Sequence, residues 1–274
     1  MKKVLIAFDG AHISASALAF ALDLNSQSPI MLTGVFLPSM DYADFLNYTY
    51  HGLTVPSYYT NAFDDDKQLI EKNKESFRKF CRDHYIKHKI HDDIMLDIQR
   101  EVCEETRFAD LLILNNLQFS EEMGGVVQED YIERTLHRAE CPIVLLPASY
   151  TKPQSVVIGY DGSAASMFAI KQFIYTMPHL ADLNTLLIYI GKEHQDIPSW
   201  ELIKEYAPNH FNKLAILKLD IQSKKYLNTW MQEKNAAIFV SGSFGRNTFS
   251  QLFKHTFIKD LIQACETPLF IAHP

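Results

Sequence analysis

The chain carries one sequence pattern twice. Residues 4–10 read Val-Leu-Ile-Ala-Phe-Asp-Gly, and residues 156–162 read Val-Val-Ile-Gly-Tyr-Asp-Gly. Each is a short apolar run closed by an Asp-Gly turn and followed by a helix-forming stretch. The halves also end alike: residues 139–147 read Ala-Glu-Cys-Pro-Ile-Val-Leu-Leu-Pro, and residues 264–274 read Ala-Cys-Glu-Thr-Pro-Leu-Phe-Ile-Ala-His-Pro. A repeat this long means two copies of a whole domain rather than a solenoid of small units. At 274 residues, each copy has room for its own core. Domains are therefore expected over 1–148 and 154–274, joined by a polar stretch bracketed by Pro147 and Pro153 that reads as a short extended linker.

Both copies alternate β-branched runs with helix-period segments. Strands are expected near 3–8, 29–36, 93–98, 110–115 and 142–146, with helices near 13–25, 65–88, 100–107 and 129–139. In the second copy strands fall near 155–160, 183–190, 213–218, 236–241 and 267–272, and helices near 163–177, 199–207, 223–234 and 255–265. Runs such as Leu111-Leu112-Ile113-Leu114 and Ala237-Ile238-Phe239-Val240 are apolar throughout, as strands covered on both faces must be. The expected fold class is α/β: two similar Rossmann-like domains, each a five-stranded parallel sheet flanked by helices.

Composition narrows the function. Hydrophobic content of 47% and charged content of 22% are those of a globular protein. No apolar run approaches the roughly 20 residues that cross a bilayer, and Lys2 and Lys3 lead straight into a strand, so neither a membrane span nor a signal peptide is expected. Cys81, Cys103, Cys141 and Cys265 are scattered, without a C-x-x-C pair, which favours reduced thiols and a cytoplasmic location. Residues 1–150 hold 14 Lys+Arg against 23 Asp+Glu, whereas residues 151–274 hold 12 against 10. The acidic first half repels phosphate and the second tolerates it. Neither half carries the basic stripe of a nucleic-acid partner.

The copies differ in length: 133 residues separate Asp9 from Pro142, but 107 separate Asp161 from Pro268. Most of the excess is an insertion over 38–63, rich in aromatics (Tyr42, Phe45, Tyr48, Tyr50, Tyr58, Tyr59). Such a stretch after a strand's carboxyl end suits packing on a neighbouring domain or chain, or covering a ligand.

Chemistry gathers in the second copy. After its fourth strand comes Ser241-Gly242-Ser243-Phe244-Gly245-Arg246, and a helix is expected to start at His255-Thr256. Glycines let backbone N–H groups approach a phosphate, and a helix amino-terminus adds unpaired donors and partial positive charge. The Thr256 hydroxyl and the Arg246 guanidinium add donors. Asp161, at the end of the first strand, belongs on the same carboxyl edge, where a carboxylate accepts from ribose hydroxyls or an exocyclic amine. Asp161 can equally close an Asx turn or cap the helix near Ser163.

These residues resemble a known family. Asp ending strand one, G-x2-G after strand four, and G-S/T nine residues later at a helix start form the universal stress protein signature, and the similarity runs through both halves. The resemblance implies a tandem universal stress protein whose final strands, 143–146 and 269–272, pair within one chain as an intrachain pseudo-dimer, further homodimers being compatible. It also implies a site for ATP or another adenine nucleotide in the second domain, formed by Asp161, Ile190, Gly242, Gly245, Arg246, His255 and Thr256, with no metal beyond nucleotide-associated Mg. His255 departs from the pattern, standing where it wants glycine; it either crowds out a phosphate or contacts one as an imidazolium. In the first copy Asp9 and Val35 match the nucleoside side. Asn116 and Phe119 replace the glycines, and Glu129 and Asp130 replace G-S/T, so its phosphate site is expected to be degenerate.

Other signals are weaker. His84, His88 and His91 have metal-like spacing but are expected at the solvated end of the long helix. Asp64-Asp65-Asp66 lacks the EF-hand ligand pattern and is expected to cap that helix. No Walker lysine or nucleophile elbow is present, so no catalytic residue and no metal site are assigned. The expectation is a stress-response binding or signalling protein with a small-molecule ligand and, at most, slow ATP hydrolysis. The alternatives are a scaffold with both sites degenerate, or a nucleotide-dependent transferase.

Overall fold

The computed structural model describes residues 1–9, 12–37, 57–91, 98–115, 135–191, 194–220, 236–242 and 267–274. The chain divides into two compact units, Met1–Ala139 and Glu140–Pro274. The first runs β1 (Lys2–Asp9), α1 (Ala15–Gln27), β2 (Ile30–Leu37), α2 (Ser57–Asp83), β3 (Lys87–His91), α3 (Ile98–Thr106) and β4 (Leu111–Asn115). Its strands lie in the order β3-β2-β1-β4 with parallel pairing. The order reverses direction at β1, between β2 and β4, the switch point where α/β sheets bind ligands.

The second unit runs β5 (Ile143–Leu146), β6 (Ser155–Gly159), α4 (Ala164–Thr176), β7 (Asn184–Gly191), α5 (Trp200–Tyr206), β8 (Lys213–Asp220), β9 (Ala237–Ser241) and β10 (Leu269–Ile271). Its order is β5-β10-β9-β6-β7-β8, parallel except where β5 meets β10. There the strands that close the two repeats pair antiparallel, Ile143 opposite Ile271 and Leu145 opposite Leu269. This is the expected pairing of final strands, and it covers two apolar edges. The sequence repeat divides the chain at 148 and 154, but the compact units part at 139 and 140, because β5 sits with its partner β10.

The central strands are buried on both faces: Leu111–Leu114 and Ala237–Val240 are each at most 2% exposed. That is why they read as unbroken apolar runs. Both copies start their first helix on a serine. Ser14 and Ser163 take extended backbone, and their hydroxyls accept from the amides of Ala17 and Ser166, each at 3.1 Å.

The third strand falls elsewhere than the sequence suggests. A strand was expected at 93–98 and a helix over 65–88; residues 93–97 lie outside the described residues, α2 spans Ser57–Asp83, β3 spans Lys87–His91, and 98 begins α3. The cause is the end of α2. Tyr85 takes the left-handed conformation (φ 54°), its amide donates to Arg82 and the amide of Ile86 donates to the carbonyl of Cys81. This is a Schellman stop, a role usually filled by glycine, with Ile86 and Cys81 both buried beside it. The strand that follows, Lys-His-Lys-Ile-His, is polar because it is the edge of its sheet. His88 and His91 therefore lie on a strand, not at a helix end, and His91 Nδ1 pairs with Glu105 Oε1 at 2.7 Å. Asp64, Asp65 and Asp66 lie inside α2 rather than capping it.

Candidate functional site

At the carboxyl edge of β6 the Asp-Gly turn of the second copy is an Asx turn. Asp161 Oδ1 accepts from the Ser163 amide at 2.9 Å, and Gly162 takes φ +78°. The carboxylate thus also orients the residue that caps α4, so the turn and the cap share one hydrogen-bonded unit. Its second oxygen has no partner among the described residues. Ser166 Oγ adds a bond to the Ser163 carbonyl at 2.9 Å, tightening the first turn.

Gly242 reaches the same place from β9. A Cβ there would collide with the carbonyl of Ala165 and the amide of Ser166. The first glycine of the G-x2-G motif is therefore required for close passage of the chain across the first turn of α4. A plain turn residue would not need it. The structure so brings Asp161, the amino-terminus of α4 and Gly242 together. Ile190, fully buried near the end of β7, is joined to them by register: Ser155 to Gly159 pair with Asn184 to Ile188, and two further residues bring Asp161 opposite Ile190. Gly245, Arg246, His255 and Thr256 lie outside the described residues.

In the first copy the register pairs Asp9 with Leu37, and Val35 with Ala7. Leu37, not Val35, therefore corresponds to Ile190. Val35 is buried earlier along the strand. The start of α1 is committed internally: Asn115 Nδ2 donates to Ser16 Oγ at 2.6 Å, and Ser16 Oγ lies 2.9 Å from Ser14 Oγ. By strand register Asn115 matches Gly242, and counting from the two capping serines Ser16 matches Ala165. Where the second copy passes a bare glycine over its helix, the first ties strand and helix with a chain of side-chain bonds. The Ser14-x-Ser16 spacing was the only sequence sign of this, and it reads as an ordinary cap. Asn116, Phe119, Glu129 and Asp130, and residues 38–56 of the insertion, lie outside the described residues.

A second contrast was missed by sequence reasoning. Phe8 and Phe36 are cross-strand partners whose rings lie 5.1 Å apart, each 5.9 Å from Phe77. Their counterparts in the second copy are Tyr160 and Tyr189, both fully buried. The Tyr160 hydroxyl donates to the Pro198 carbonyl at 2.9 Å, and Pro198 packs where a Cβ on Gly162 would stand. The Tyr189 hydroxyl is buried and has no hydrogen-bond partner among the described residues. Burial and then the nearby Asp161 charge raise the pKa of both phenols, so both are neutral hydrogen-bonding groups at neutral pH. Among the described residues no group of three or more His, Cys, Asp or Glu could hold a metal, and no helix is long and apolar enough to cross a membrane.

No protein-family model and no curated protein matches the sequence. Solved structures do match. A universal stress protein from Archaeoglobus fulgidus superposes with a TM-score of 0.71 at 11% identity, over 99% of this chain and 96% of that one. A Pseudomonas aeruginosa protein of unknown function does so at 0.57 and 13%, over 100% and 93%. Another P. aeruginosa protein, provisionally assigned to the universal stress proteins, gives 0.55 and 13%, over 100% and 94%. The chain is an α/β protein with the tandem two-domain fold of universal stress proteins. At these identities the likeness establishes the fold and stops there.

Proposed function

We propose that this chain is a stress-response protein that binds a small molecule, with an adenine-nucleotide site in its second unit alone. The observation that supports it best is the convergence of Asp161, the capped start of α4 and Gly242 at one carboxyl edge. There Asp161 and the backbone ending β7 at Ile190 would take the nucleoside. The first turn of α4 and the Gly242 loop offer backbone close enough to meet polar ligand atoms. Gly245, Arg246, His255 and Thr256 would supply the phosphate side. In the first unit Asn115 and Ser16 occupy the equivalent space with each other, which argues against a second site.

The role is binding and signalling rather than turnover: the groups named here position a ligand, and none is placed as a general base. The reading includes a cytoplasmic setting, nucleotide-associated Mg, protein partners responsive to ligand and, at most, slow ATP hydrolysis. A scaffold with both sites closed is the second reading, favoured by Pro198 lying against the Asp-Gly turn. Thermal-shift titration of the full chain with ATP and AMP separates the two. The binding reading expects a melting temperature that rises with ligand and no longer does so in Asp161→Ala. An unresponsive wild-type chain leaves the scaffold.

A further inference from the structure

A buried polar group without a partner costs about 1–3 kcal/mol, so native chains rarely keep one without use for it. Tyr189 is such a group: its ring is fully buried and its hydroxyl has no partner among the described residues. The same position in the first copy is Phe36, packed against Phe8 and Phe77 with no hydroxyl to satisfy. The fold therefore does not need the oxygen. Its direction is informative as well. A Cβ on Gly191 would stand 2.6 Å from Tyr189 Cε1 and 3.1 Å from the hydroxyl oxygen, so the ring lies along the strand toward the carboxyl end of β7. Glycine at 191 makes that rotamer possible, and the hydroxyl ends up on the edge that carries Asp161.

We propose that the Tyr189 hydroxyl is a ligand contact, hydrogen-bonding a base or ribose atom of a nucleoside held at the carboxyl edge of β6 and β7. This rests on the nucleotide-site reading and assigns a polar contact that the glycine motif does not contain. A neutral phenol beside a carboxylate suits a sugar or base, which offers both donors and acceptors, better than it suits a phosphate. The neighbouring hydroxyl, on Tyr160, is already spent on Pro198, so Tyr189 is the oxygen left for a ligand. Because that oxygen is shielded from solvent, the ligand meets it as adjacent chain shifts. The Pro198–Ser199 segment, with Ser199 in the left-handed region (φ 51°), is held to the Asp-Gly turn by the bond from Tyr160.

The test is calorimetric titration of the full chain with AMP, comparing wild type with Tyr189→Phe, together with urea unfolding of both without ligand. The expected result is roughly 3- to 10-fold weaker AMP binding by the variant, the loss of one neutral hydrogen bond. Its ligand-free unfolding midpoint should be equal or higher. Equal affinity in both proteins overturns the contact while leaving the site standing. A fall in the ligand-free midpoint also overturns it, since the hydroxyl would then be bonded within the chain. No AMP binding by wild type removes the site and this contact together.

Discussion

Gly242 lies against Ala165 so closely that a single methyl group on it would overlap the Ala165 carbonyl. The end of β9 and the first turn of α4 are thereby locked together, and the loop leaving Gly242 starts beside the helix terminus. Gly242→Ala should destabilise the chain by about 1–3 kcal/mol, the usual cost of overpacking where backbone has to move. Urea unfolding measures it; an unchanged midpoint would show that the two segments are not in contact.

Ser163 links Asp161 to α4: its amide donates to Asp161 Oδ1 and its hydroxyl accepts from the Ser166 amide. Ser163→Ala should cost about 1 kcal/mol of stability. Nucleotide affinity should fall with it, because the Asx turn stays but the first helical turn loosens. Ser163→Asp, which can still cap, should restore most of the stability and is the control.

Tyr85 occupies a left-handed position at 93% exposure, so its side chain offers little packing in return for the strained backbone. Tyr85→Gly should raise stability by about 0.5–1 kcal/mol, the relief of the Cβ clash being partly offset by the added freedom of the unfolded chain. A lower melting temperature would contradict the Schellman geometry.

Burial pushes the Cys81 thiol up to about 12. An acid whose pKa is raised by folding holds its proton more tightly in the native state. The stability tied to that proton is full below the ordinary thiol pKa and drains away as pH climbs from about 9 toward 12. The buried phenols Tyr160 and Tyr189 shift the same way and add to the fall. Unfolding midpoints should therefore decline steadily above about pH 9. Cys81→Ala should lessen that slope, and in wild type the thiol should resist alkylation near neutral pH. A pH-independent midpoint over that window would refute the assignment.

Much of the fold was legible because its signals are local. Val4 to Asp9 and Val156 to Asp161 announce the same strand and turn, and the unbroken apolar runs at 111–114 and 237–240 mark strands covered on both faces. What failed was the stretch from 83 to 91. A tyrosine performing a glycine's stop and an edge strand written in lysine and histidine both lack their usual marks, since solvent exposure relaxes the demand for apolar residues. Asp161, Ile190 and Gly242 were singled out from spacing; Asp161 and Gly242 both lie at the first turn of α4, and Ile190 falls opposite Asp161 by register. Leu37 rather than Val35 stands opposite Asp9, because the position is set by the pairing register of β1 and β2, which the sequence does not display. Tyr189, Asn115 and Ser16 escaped notice altogether. Their meaning depends on cross-strand register and on a neighbour about a hundred residues away, which no local window contains.

The central claim is one site per chain, built on Asp161 and absent at Asp9. Calorimetric titration of the full chain with ATP and magnesium, for wild type, Asp161→Ala and Asp9→Ala, tests it most directly. The account predicts a stoichiometry near one for wild type and Asp9→Ala, and loss of binding in Asp161→Ala. Two sites per chain, or binding that survives at Asp161→Ala and vanishes at Asp9→Ala, would contradict it.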